Sequence, residues 1–86
     1  MRYRVIISAP ADRAVARLDK TTRRRIADRL AALAENPRPA GCSKLTGLEA
    51  YRIRVGDYRI AYEIADRVLI VTVIDVDPRR EVYRGM

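Results

Sequence analysis

The chain has 86 residues and a net charge of +7, with 18 Lys plus Arg against 11 Asp plus Glu. That length allows one compact domain with a single core, and 49% hydrophobic content excludes a disordered chain. The single cysteine, Cys42, excludes an intrachain disulfide and a cysteine-cluster metal site, and with no histidine there is little to hold zinc, so no metal and no cofactor are expected.

In chain order, "YRVIIS" (3–8) reads as a first strand rich in β-branched residues. Pro10 suits a first helical turn. Ala14, Val15 and Leu18 follow at helical spacing, giving a short helix over about 10–18. Thr21 or Thr22 is the expected cap of a second helix. Its apolar stripe is Ile26, Leu30, Leu33 and Ala34, with Arg23, Arg24, Arg25, Asp28, Arg29 and Glu35 mostly on the polar side. It should stop near Asn36, because Pro37 disfavours a helical residue before it. "NPRPAGCSKLTG" (36–47) is a loop by composition. Strand signals follow at about 49–55, 57–64 and 67–76, with Gly56-Asp57 as a tight hairpin turn and Asp66-Arg67 as a second, less typical one. The expected fold is α+β: a strand, two helices, then a three-stranded antiparallel meander in one sheet whose helices cover one face.

The positive balance predicts an anionic partner, whether nucleic acid, an acidic protein or an anionic membrane surface. Apart from Lys20 and Lys44, every basic residue is Arg, whose planar fork fits a phosphate bidentately. No segment is long enough to span a membrane, and the apolar run after "MRYRV" is too short for a signal peptide. A cytosolic protein is the expectation.

"AYRIRVGDYRIAY" (50–62) concentrates three of these arginines. Side chains alternate along a strand. With a two-residue turn at Gly56-Asp57, Val55 pairs with Tyr58, Arg54 with Arg59, Ile53 with Ile60 and Tyr51 with Tyr62. The apolar set then faces the helices, and Arg52, Arg54 and Arg59 gather on the open side. Like charges across a ladder cost roughly 0.2–1 kcal/mol, so folding alone would not select this pairing. An anion on that face accounts for it, and a solvated, solubilising sheet face is the alternative. "DPRREVYRGM" (77–86) delivers Arg79, Arg80 and Tyr83 to one end of the sheet, and Lys44 is a further candidate cation.

Metal-free RNA cleavage by the neighbouring 2′-hydroxyl needs a proton acceptor, a proton donor and cations around a crowded phosphorane-like charge. Clustered guanidinium groups meet the last need. Tyr83, with a reference pKa near about 10, is the first candidate acceptor, once surrounding positive charge lowers it. Lys44, Asp75, Asp77 and Glu81 come after it.

"KLTGLEAYRIRVGDYRIAYEI" and "VTVIDVDPRREVYR" resemble the RelE/ParE toxin superfamily of bacterial toxin–antitoxin systems, and the RelE branch most. The resemblance implies one RelE-like domain over residues 1–86. It implies a small endoribonuclease that cuts mRNA in the ribosomal A site without a metal. An acidic RelB-like antitoxin would neutralise it, and operator DNA would be bound only through that complex. By position, the resemblance gives Arg52 and Arg54 the place of two basic strand residues, often lysines, at the cleavage site. It gives Arg59 the scissile phosphate, Arg79 the leaving group, and Tyr83 the stacking or orienting of the nucleotide. "VDPRR" stands where many relatives read "VGHRR" or "VGKR", so Asp77 and Pro78 replace a glycine and a basic residue. Two other readings stay open: a ParE-like toxin that inhibits DNA gyrase without cutting RNA, and a non-catalytic basic module that binds nucleic acid.

Overall fold

The first strand turns into the first helix at Ser8. Its backbone is extended (φ −65°, ψ 158°), and its hydroxyl oxygen accepts the Ala11 N–H at 3.3 Å. That fills one of the donors a helix start leaves open. The same hydroxyl donates to the Ile74 carbonyl at 3.2 Å, fastening the junction to the last strand. The computed structural model describes residues 2–45 and 50–78. They form β1 (Arg4–Ile7), α1 (Ala9–Ala16), α2 (Lys20–Glu35), β2 (Ser43–Lys44), β3 (Ala50–Val55), β4 (Tyr58–Ala65) and β5 (Ile70–Pro78). The strands make one sheet in the order β1-β5-β4-β3-β2. β1 runs parallel to β5, and every other neighbouring pair is antiparallel.

The α+β reading and the meander stand, with four corrections of detail. α2 is capped by Asp19, not by Thr21 or Thr22: the Asp19 carboxylate accepts both the backbone N–H and the hydroxyl of Thr22, which holds it below the usual carboxylate pKa range. The 36–47 loop contains a strand, because Ser43 and Lys44 pair with Arg52 and Tyr51. The second turn spans four residues, 66–69, with Leu69 at φ 55°. The last strand continues to Pro78 instead of ending near Val76.

Both helices lie on one face of the sheet. Ala11, Ile26, Leu30 and Leu33 pack with Tyr51, Ile53, Val55, Ile60, Tyr62, Ile64, Val71, Val73 and Val76 into one core. The 4–3 spacing of Ile26, Leu30 and Leu33 puts them on a single helical stripe. Tyr62 is fully buried, and its hydroxyl donates to the Pro37 carbonyl at 2.7 Å, so the loop after α2 is pinned over the core. Burial raises the Tyr62 pKa well above the usual phenol value. No helix among the described residues is long and apolar enough to cross a membrane.

Candidate functional site

The β3–β4 hairpin has the expected register at every position: Val55 with Tyr58, Arg54 with Arg59, Ile53 with Ile60, Arg52 with Ala61 and Tyr51 with Tyr62. Gly56 opens the turn at φ 59°, a conformation costly for residues with a Cβ. Alternation puts Tyr51, Ile53 and Val55 in the core. Arg52, Arg54 and Arg59 are thereby left on the face opposite the helices, Arg54 exposed and the other two half-buried.

β5 completes this face. In register, Arg54, Arg59 and Asp77 make one row across the sheet, and Ser43, Arg52, Ala61 and Asp75 make the next. The short Ala61 side chain sits between Arg52 and Asp75, with Arg59 two residues before it on the same strand. A bulge between Ala61 and Tyr62 shifts the β4–β5 register by one residue. Without it, Asp75 and Asp77 would fall on the other face. The Asp75 Oδ1 accepts the Val76 N–H at 2.9 Å.

Asp75 and Asp77 bring two carboxylates to this face, but none of Arg52, Arg54 and Arg59 makes an ion pair among the described residues. The Arg59 Nε is shielded from solvent and has no hydrogen-bond partner among them. A shielded guanidinium N–H left unmade is expensive, roughly 1–3 kcal/mol.

Lys44 is placed differently from the arginines. It pairs with Tyr51, not Arg52, so by register it starts on the helix side of the sheet at its edge. Asp75 and Asp77, ranked after Tyr83 as proton acceptors, share the arginine face by register. Arg79, Arg80, Glu81 and Tyr83 lie outside the described residues.

Sequence reasoning missed a second polar cluster. Arg38 donates through Nη1 and Nη2 to both carboxylate oxygens of Asp66 (3.1 and 2.8 Å) and through Nε to the Tyr51 hydroxyl (3.1 Å). Its guanidinium carbon lies 5.2 Å from the centre of the Tyr51 ring, which stacks on Tyr62 at 6.0 Å. Tyr3 donates to the same Asp66 at 2.7 Å. These bonds from Arg38 and Tyr3 bring the Asp66 carboxyl down to about 2, and the carboxylate in turn raises the Tyr3 pKa. The available signal was Arg38 between two prolines, a fixed position for a cation, but its partner is 28 residues away.

Against known proteins, a model of the ParE toxin of type II toxin–antitoxin systems (parDE) matches residues 5–83. No curated protein sequence matches the chain. Among solved structures, RelE in the archaeal RelE–RelB complex from Pyrococcus horikoshii is 29% identical, with a TM-score of 0.81 over 92% of this chain and 97% of that one. A double mutant of E. coli toxin RelE bound to a peptide of antitoxin RelB is 31% identical, with a TM-score of 0.79 over 99% and 94% of the two chains. The RelB–RelE complex from Methanococcus jannaschii, at 20% identity and a TM-score of 0.72 over 94% and 98%, shares the fold. With a toxin-family match along nearly its whole length and RelE structures as neighbours, the chain belongs to the RelE/ParE superfamily of type II toxins, structurally close to RelE.

Proposed function

We propose that this toxin is a ribosome-dependent endoribonuclease that cuts mRNA in the A site, acting as one domain in the cytoplasm. One observation carries the reading: Arg54 and Arg59 stand opposite each other on the open face, and the shielded Arg59 Nε has no partner among the described residues. In the reaction the 2′-oxygen bonds to phosphorus while the bond from phosphorus to the 5′-oxygen breaks. The 2′-hydroxyl proton goes to a base, for which Tyr83 is the first candidate and Asp75 the second. The leaving oxygen takes a proton from the Arg79 side, directly or through water. Arg52, Arg54 and Arg59 hold the phosphate and offset the charge that grows on its oxygens. Lys44 and Arg80 bind RNA outside that centre. The ribosome orients the strand, which a site with so few proton carriers needs.

The partner that silences it is an acidic antitoxin segment that folds on binding, in keeping with the +7 charge and with the RelB-bound neighbours. Operator DNA is reached only through that complex.

The test is incubation of the purified toxin with translating ribosomes and a defined mRNA, followed by mapping of new ends. Cleavage within the A-site codon, lost in Arg59→Ala, supports the reading. Intact mRNA together with inhibited gyrase supercoiling supports the second reading, which the ParE family match favours.

A further inference from the structure

The polar side of α2 meets the β3–β4 turn in a groove lined by Arg25, Asp28, Arg29, Arg54, Val55 and Gly56. Arg25 and Arg29 are one helical turn apart, so they lie on the same side of α2. The turn comes close to them: a Cβ added at Gly56 would sit 3.6 Å from the Arg25 Nη1. None of the three arginines has an ion pair among the described residues. Asp28 sets one negative charge against those of Arg25 and Arg29, so the groove stays cationic even without Arg54, which borders it from the strand. The groove also continues toward the start of α2, where Lys20 and Arg24 line a second depression that shares Arg25 and Asp28 with the first.

Arg54 borders both this groove and the open face, so one basic track runs from Arg59, around the β3–β4 turn, onto α2. We propose that the groove is a second phosphate subsite, in which Arg25 and Arg29 hold a backbone phosphate of the same RNA strand, away from the one at Arg59. The inference rests on the reading that the open face takes RNA. A sugar-phosphate backbone suits the groove better than a protein segment does. Its one large apolar side chain, Val55, is buried in the core, so the groove offers an incoming apolar residue no large apolar side chain to pack on. Guanidinium forks without ion-pair partners match phosphate oxygens.

The experiment measures binding of 2′-O-methyl oligoribonucleotides, which lack the attacking hydroxyl, to the full chain across a salt series. The probes are a trinucleotide and a longer oligomer. In Arg25→Gln/Arg29→Gln, the longer oligomer should lose its advantage over the trinucleotide. Its plot of log affinity against log salt should flatten by about 0.7 for each phosphate that is no longer held. Trinucleotide binding should stay at the wild-type level. Arg25→Lys/Arg29→Lys, which keeps the charge, should restore the slope and exclude misfolding as the cause. Unchanged length and salt dependence in the Gln variant overturns the proposal. So does loss of binding to an acidic peptide with RNA binding intact, which would make the groove a protein dock. If Arg59→Ala leaves trinucleotide binding untouched while the groove variants still lose the longer oligomer, the open-face reading falls and the groove stands.

Discussion

Arg38 and Arg59 carry the same side chain into opposite circumstances. Arg38 spends its donors within the protein, two on Asp66 and one on the Tyr51 hydroxyl, with its guanidinium over an aromatic ring. Arg59 faces another arginine across the ladder, and its Nε is shielded without a partner among the described residues. An arginine whose hydrogen bonds close inside the molecule holds the fold together. An arginine placed where it raises the folding free energy waits for a ligand. That difference marks the site, and it also separates the effects of mutation.

The largest expected effect is on activity. Arg59→Ala should lower mRNA cleavage by about 10²-fold or more, the scale for removing one group that stabilises transition-state charge. Its melting temperature should change little, because the substitution removes a like-charge neighbour, Arg54, on one side and an opposite-charge neighbour, Asp77, on the other. Next comes stability without chemistry. Tyr62→Phe leaves the Pro37 carbonyl without its donor inside the core, and chemical denaturation should show a loss of about 1–3 kcal/mol.

Arg54→Glu sharpens the contrast within the site. Turning the Arg54–Arg59 opposition into an attraction should stabilise the hairpin by roughly 0.2–1 kcal/mol while removing RNA binding. A variant both more stable and inactive would show that the native pairing serves binding.

The smallest effect belongs to the Arg38 cluster and depends on pH. Asp66 has a folded pKa of about 2, below the ordinary carboxylate value. Its contribution is therefore complete above about pH 4 and is lost as pH falls from there through about 2. Melting temperatures of the wild type and Asp66→Asn should converge across that window, and the gap above it should be small because the pair is largely exposed.

The hairpin was legible in the sequence because its determinants are local. Tyr51, Ile53 and Val55 alternate with Arg52 and Arg54, and Gly56-Asp57 fixes the register, so the arginine face follows from counting residues. β2 was not legible: Ser43 and Lys44 have little strand preference and are ordered by β3. Nor was Lys44's side of the sheet, which depends on that pairing. The parallel docking of β1 on β5, the bulge that turns Asp75 and Asp77 to the arginine side, and the Arg38–Asp66 bonds all join distant segments. No local pattern specifies them. The α2 cap slipped by one short step because Asp19, Thr21 and Thr22 are all good capping residues, and only the backbone geometry chose Asp19.

The most direct measurement is induced expression in growing cells of the wild type, Arg59→Ala and Arg38→Lys in parallel, with growth and mRNA 5′ ends followed after induction. The account predicts arrest with new ends in A-site codons for the wild type and Arg38→Lys, and normal growth with whole mRNA for Arg59→Ala. Equal arrest by the wild type and Arg59→Ala, or arrest with mRNA intact, would contradict it.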